Sequence, residues 1–254
     1  MQTISINFQI PASWSQLSDK QLRKVYELIA SDMDADEIII LCLLRWSDTK
    51  VVGRQPDGSY LLKKGKTLFE ATPTMLAEIL PHLDWLEQIS PMPVRVAKLN
   101  RRKAIAADFQ EVSFETFIVC DNLYQGYLQT QDEDLLQEIG RVVYQDDKLK
   151  LNAWSRISVF YWIASLKEYF ANRFSNFFQP ATQSESSGNL LGDPLRSPAH
   201  KLQESMDSMI RALTKGDITK EKEILAMDTW RALTELNAQA KEYKQINAQI
   251  NAKK

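Results

Sequence analysis

The apolar positions of the chain fall into two periods. Residues 3–10 alternate, with Ile4, Ile6, Phe8 and Ile10 on one side, and predict a strand with one buried face that Pro11 ends. Leu22, Val25, Tyr26 and Ile29 then recur at helical spacing behind Ser18, a good N-cap, with Trp14 and Leu17 placed to staple the start of that helix. Asp36 to Trp46 reads as a buried helix, with a strand as the alternative for so short an apolar run. The turn Pro56-Asp57-Gly58 between two short strand-like runs predicts a hairpin, whose strands could pair with the N-terminal one. Thr72-Pro73 starts another helix, which Pro81 kinks or restarts, and HLDWLEQI forms a further helix. PMPVRVAKLNRRK is expected to be extended, because Pro91 and Pro93 exclude helix.

From Ser113 onward the chain reads as helices interrupted by one linker. Ser113 caps FETFIVCDNLYQGYLQT, Asp132 opens DLLQEIGRVVYQ, and Asn152 opens the long AWSRISVFYWIASLKEYFANRFSNFF. The segment QPATQSESSGNLLGDPLRSP has no hydrophobic period and holds three of the nine prolines, so it reads as a linker. Residues 199–215 and 228–250 are helical again, and Leu233, Leu236, Ala240 and Tyr243 keep a stripe. The fold class expected is mainly α, with a small antiparallel β element near the N-terminus. Its domains are a helical domain over 1–178, a linker over 179–198 and a helical C-terminal arm over 199–254.

Composition changes this picture mainly by exclusion. The 254 residues include 44% apolar and 25% charged side chains, as in an ordinary globular protein. Lys and Arg number 31 against 33 Asp and Glu, so no global basic field gathers nucleic acid or an anionic membrane. Only 8 residues are glycine, so few left-handed or phosphate-cradling stretches are expected. Cys42 and Cys120 sit in apolar runs and read as buried thiols; with only His82 and His200 beside them, no metal-ligand spacing arises. No secretory leader is visible, and the longest apolar run, Ile38 to Leu44, is too short to cross a bilayer. An intracellular protein with no membrane partner is expected.

The motifs of common catalysts are missing too. There is no G-x-S-x-G, Walker phosphate loop or G-x-G-x-x-G, and KKGKT at 63–67 lacks the upstream glycine of a phosphate loop. The chain is therefore expected not to be an enzyme and to hold no cofactor. The acidic set Asp32, Asp34, Asp36 and Glu37 lacks the glycine and distal Glu of a calcium loop, and fits a helix N-terminus better.

Two sites remain. The long helix carries nine of the 24 aromatic residues, on every face of the wheel. The plainer reading is a helix packed all round. The functional one makes its end, with Phe174, Phe177 and Phe178, an anchor for a partner protein, since interface cores favour aromatic rings. Trp230, just inside a capped C-terminal helix, is a fourth anchor; that helix could equally fold back on its own chain. The alternative site is the basic run Arg95, Lys98, Arg101, Arg102 and Lys103, which could neutralise nucleic-acid phosphates, although no aromatic interleaves it and a solvated loop is the better fit.

Three stretches, IPASWSQLSDKQL, FETFIVCDNLYQGYLQTQDEDLLQEIGRVVY and ITKEKEILAMDTWRALTELNAQAKEY, resemble a group of phage and prophage morphogenesis proteins. The likeness covers about a third of the chain and contains no catalytic motif. It implies a role in virion assembly, such as a tail-assembly chaperone that holds a tape-measure-type or other phage structural protein. It also implies a place in the host cytoplasm, or in association with the virion. A second copy of the chain is a further expected partner.

Overall fold

The computed structural model describes residues 10–31, 33–178 and 198–252. The strand expected over 3–10 falls outside these but for Ile10, as do Asp32 and nearly all of the expected linker. The fold is mainly α with a small antiparallel sheet in the first third of the chain. Contacts divide the chain into two compact units: unit 1 gathers 1–90, 94–96 and 152–161, and unit 2 gathers 91–93, 97–151 and 162–254.

In unit 1, Ser18 closes a capping box with Gln21 and opens α1, Asp19–Ile29, which buries Leu22, Val25, Tyr26 and Leu28. Helix α2, Ala35–Trp46, carries Asp36 and Glu37 in its first turn, where the acids complement the helix dipole. The sheet follows as β1, Thr49–Arg54, β2, Tyr60–Lys64, and β3, Thr67–Ala71, all antiparallel in that order. The Pro56-Asp57-Gly58 turn joins β1 and β2; Ser59 donates to the Asp57 carboxylate, which holds its pKa below the usual value. The third strand, β3, is one that the sequence reading passed over. Gly65 (φ +57) makes the two-residue turn that sends KKGKT back along β2, so that stretch is a hairpin turn and not a phosphate loop.

Thr72 accepts from Met75 N at the start of α3, Pro73–Ile79, and Pro81 tightens the chain into a 3-10 segment, Leu80–Glu87. Trp14 is the keystone of unit 1. It stacks on Tyr26 (5.9 Å), meets Trp85 edge-on (5.5 Å), and donates its indole N–H to the carbonyls of Trp85 (3.0 Å) and Gln88 (2.9 Å). Cys42 is buried, and burial pushes its thiol up to about 12.

Unit 2 starts with a short hairpin, β4, Lys98–Leu99, and β5, Arg102–Lys103. Ser113 accepts from Thr116 N and opens α4, Phe114–Thr130; Asp132 caps α5, Glu133–Tyr144, and α4 packs against α5. The long α6, Ala153–Arg173, gives its residues 153–161 to unit 1 and 162–173 to unit 2. It is buried on most faces, with Trp162, Ile163, Leu166 and Phe170 nearly inaccessible, and it is followed by one turn, α7, Ser175–Phe178. Helices α8, Pro198–Thr214, α9, Glu221–Ala226, and α10, Thr229–Ala252, complete the unit.

The arm expected after the linker thus lies within unit 2, where α10 packs on α4, α7 and α8. The starts of α4 and α10 are stitched by an antiparallel bridge. Phe114 N donates to Met227 O (2.7 Å), and Thr229 donates through its N to Val112 O (2.8 Å) and through its buried hydroxyl to Val112 O and Ser113 O.

The scarcity of glycine does not exclude left-handed backbone. Among the described residues eight that are not glycine have positive φ, including Gln131 (φ 56), Gln145 (φ 52) and Lys215 (φ 54), each just past a helix C-terminus. At the end of α5, Gln145 N bonds Val142 O and Asp146 N bonds Arg141 O, the pairing that usually has glycine in its left-handed position. Gln145→Gly is therefore expected to raise stability by about 0.5–1 kcal/mol, read as a higher urea midpoint at unchanged m-value. Among the described residues, no helix is long and apolar enough to cross a membrane.

Candidate protein-binding surface

The four aromatic anchors expected from sequence all lie in unit 2, but they occupy different environments. Phe174 is 4% exposed, in ring contact with Phe170 and Trp230. Trp230 covers this cluster, with Tyr169, Phe170 and Phe174 centroids at 5.9, 5.8 and 5.6 Å, and its indole donates to Asp108 O at 2.7 Å. Both rings are thus engaged within the unit. Phe177 and Phe178 differ. They meet edge to face at 4.8 Å and stand half-buried on the wall of an open cleft.

The cleft holds about 520 Å3. Phe117, Asp121 and Gln125 of α4, Lys167 of α6, Ser208, Met209 and Ala212 of α8, and Leu236 of α10 form the rest of its lining. Its position follows from two local features. Phe174 N closes the last turn of α6 on Phe170 O, and α7 begins just beyond. The Oδ1 of Asn237 then accepts from Asn176 N (2.9 Å) and shares the Phe177 N–H (3.2 Å) with Phe174 O (3.0 Å), which ties the start of α7 to α10. Inside the cleft, the Lys167 ammonium sits 2.6 Å from the Asp121 carboxylate, with both side chains mostly buried. It also lies over two rings, 5.0 Å from the centroid of Phe178 and 5.7 Å from that of Phe117. An ammonium with a carboxylate and two ring faces around it is held in place, so the cleft is preorganised.

Compared with protein-family models, with curated proteins and with solved structures, the chain matches none. The functional reading therefore rests on this geometry and on the residues themselves.

The basic run does not form one surface. Arg95 is 8% exposed in unit 1, whereas Lys98, Arg101, Arg102 and Lys103 are exposed on the β4–β5 hairpin of unit 2. Asn100 and Arg101 make its turn with positive φ, and Arg102 pairs with Asp146 at 3.3 Å.

Sequence reasoning missed Asp121, Lys167 and Asn237. Asp121 and Lys167 are charges inside strongly apolar helical runs, and a charge in such a place generally has a partner. That signal was readable, but nothing in the sequence pairs these two, which stand 46 positions apart. A second cleft, in unit 1, also holds about 520 Å3. Leu43, Leu62 and Ala71 are buried along it, and Ile40, Val51 and Met75 stand exposed at its rim.

Proposed function

We propose that this protein is a non-enzymatic assembly factor that holds an apolar segment of another protein in the unit 2 cleft. The observation that carries the reading is the pair Phe177 and Phe178, kept half-exposed beside the buried Lys167–Asp121 pair by the Asn237 anchor. Binding sites of this kind combine rigid aromatic walls with a few fixed polar groups. The cleft gives a partner apolar area to bury, while the charged pair sets orientation at the floor. The resemblance to phage morphogenesis proteins supports a phage structural or tape-measure-type protein as that partner, met in the host cytoplasm and carried with the virion or released from it.

A photo-crosslinking amino acid at Phe178, in cells producing the source phage or prophage, tests this. One virion protein is expected to be trapped, and its capture by the unlabelled protein should fall at least about tenfold in the Phe177→Ala/Phe178→Ala variant, as for a two-ring hot spot. Capture should also survive moderate salt, because apolar burial is not screened. Loss of capture in Met75→Asp, with Phe177→Ala/Phe178→Ala unaffected, would move the site to the unit 1 cleft and overturn the proposal. So would recovery of nucleic acid alone, with an affinity falling with salt as for about three released counterions. That result would favour a nucleic-acid-associated regulator acting through Lys98, Arg101 and Lys103.

A further inference from the structure

We infer that the distal half of α10, residues 240–252, is a self-association face that pairs in parallel with the same face of a second copy of this chain. It uses a surface separate from the cleft and does not rest on the reading above.

The apolar stripe of α10 runs Leu233, Leu236, Ala240, Tyr243, Asn247, Ile250, in steps of three and four residues. This is the 3.5-residue period of a helix whose partner is another helix, narrower than the stripe a globular core selects. Its first two members are buried within unit 2, Leu233 at 0% and Leu236 at 3% exposure. The stripe then continues in register, half-buried at Ala240 and Asn247 and exposed at its large side chains. Tyr243 is 65% exposed, Ile250 50%, and Ile246, which flanks them, 55%. The proximal turns are already fixed by packing, so the distal turns are extended from a formed helix and need no new nucleus.

Two features point to a second copy, and to parallel pairing. In the heptad that puts Leu233 at the first apolar position (a) and Leu236 at the second (d), Asn247 falls at an a position. A lone Asn there is the common device for setting a two-stranded, in-register pair, because it meets the same Asn of its mate and the two amides bond each other. The flanking charges agree. In parallel pairing Lys244 faces Gln239 of the second copy and Ile246 faces Asn251, with no like charges opposed. Antiparallel pairing would set the Lys244 edges of the two helices against each other. The face covers two heptads, well short of the ~1,200 Å2 that a stable standard interface buries, so association in the range of tens of micromolar is expected.

Sedimentation equilibrium of the full chain from about 5 to 300 μM should show the weight-average mass rising from the monomer toward twice that value. Tyr243→Lys/Ile250→Lys should move the midpoint up at least about tenfold while leaving thermal unfolding unchanged, because both side chains are exposed. Asn247→Cys should give a disulfide-linked dimer under mild oxidation, and Gln245→Cys, on the opposite side of the helix, should not; the native Cys42 and Cys120 are buried. A constant monomer mass across the range would overturn the proposal, as would association that survives Tyr243→Lys/Ile250→Lys. Equal crosslinking at 245 and 247 would overturn it too.

Discussion

Trp230→Ala is expected to lower the stability of the protein by about 3–5 kcal/mol, the range for truncating a large aromatic packed against several neighbours. Two contributions add. The ring is the common neighbour of Tyr169, Phe170 and Phe174, so its removal opens a cavity where α6, α7 and α10 meet. Its indole N–H is also the donor to Asp108 O, while the Trp162 indole donates to Ala107 O next door (2.8 Å). Two indoles thus hold consecutive carbonyls of the loop before α4, in which Phe109 is fully buried and stacked on Trp162. Trp230→Phe separates the two contributions: it keeps most of the packing and loses the hydrogen bond, and should cost about 1–2 kcal/mol. Urea denaturation of both variants checks this; equal midpoints for the wild type and Trp230→Ala would mean that the α10 contacts add nothing to the fold. The same change should weaken partner capture although Trp230 does not line the cleft, because Phe174 and Asn237 position Phe177 only while α10 is in place. Trp230→Phe should leave capture near the wild-type level.

How far this arrangement can be read from sequence depends on how local its causes are. Ser18, Thr72, Ser113 and Asp132 each satisfy a backbone N–H within three residues, so a cap followed by helical periodicity locates the starts of α1, α3, α4 and α5 to within a residue. The Pro56-Asp57-Gly58 turn is equally local. Strand β3 escaped because its alternation is weak, with Leu68 and Phe69 adjacent and Leu68 53% exposed. The left-handed Gln145 and Gln131 escaped because the helix-end hydrogen bonds outweigh the cost of a side chain at positive φ. The aromatic richness of α6 was plain, but not which rings face inward. That Phe174 and Trp230 meet, and that Asn237 reaches the start of α7, are contacts across about 60 residues of chain that no period encodes. The five cations of 95–103 are adjacent in sequence, yet Arg95 is buried in unit 1 while the others ride a hairpin of unit 2.

Gln137 shows the same limit and carries the second large effect. A glutamine on the inner face of α5 looks like a breach in an apolar stripe, yet the residue is 9% exposed and hydrogen-bonded through both ends of its amide. Its Nε2 donates to Leu149 O at 2.7 Å and its Oε1 accepts from Leu151 N at 2.8 Å, so the amide acts as a strand partner for the segment that leads into α6. Gln137→Leu keeps the volume and removes both bonds. Leu149 O retains Arg141 Nε at 3.4 Å, but the N–H of Leu151 loses its acceptor inside the unit, and a loss of about 2–4 kcal/mol is expected. Gln137→Glu makes the test specific. Protonated, the new carboxyl keeps both roles, its hydroxyl donating to Leu149 O and its carbonyl accepting from Leu151 N. Ionised, it loses the donor and is a buried charge facing a carbonyl, so its pKa in the folded protein must lie above the unfolded value near 4.3. A raised acid pKa favours the folded state below the unfolded pKa, and that support is lost as pH rises through the folded one. Gln137→Glu should therefore stand close to the wild type near pH 4 and fall progressively behind it toward pH 7, whereas Gln137→Leu should trail the wild type by the same margin at both. Wild-type stability of both Gln137→Leu and Gln137→Glu at both pH values would mean that the amide is replaceable by any side chain of its size, and that the segment before α6 is held by Leu149 and Leu151 burial alone.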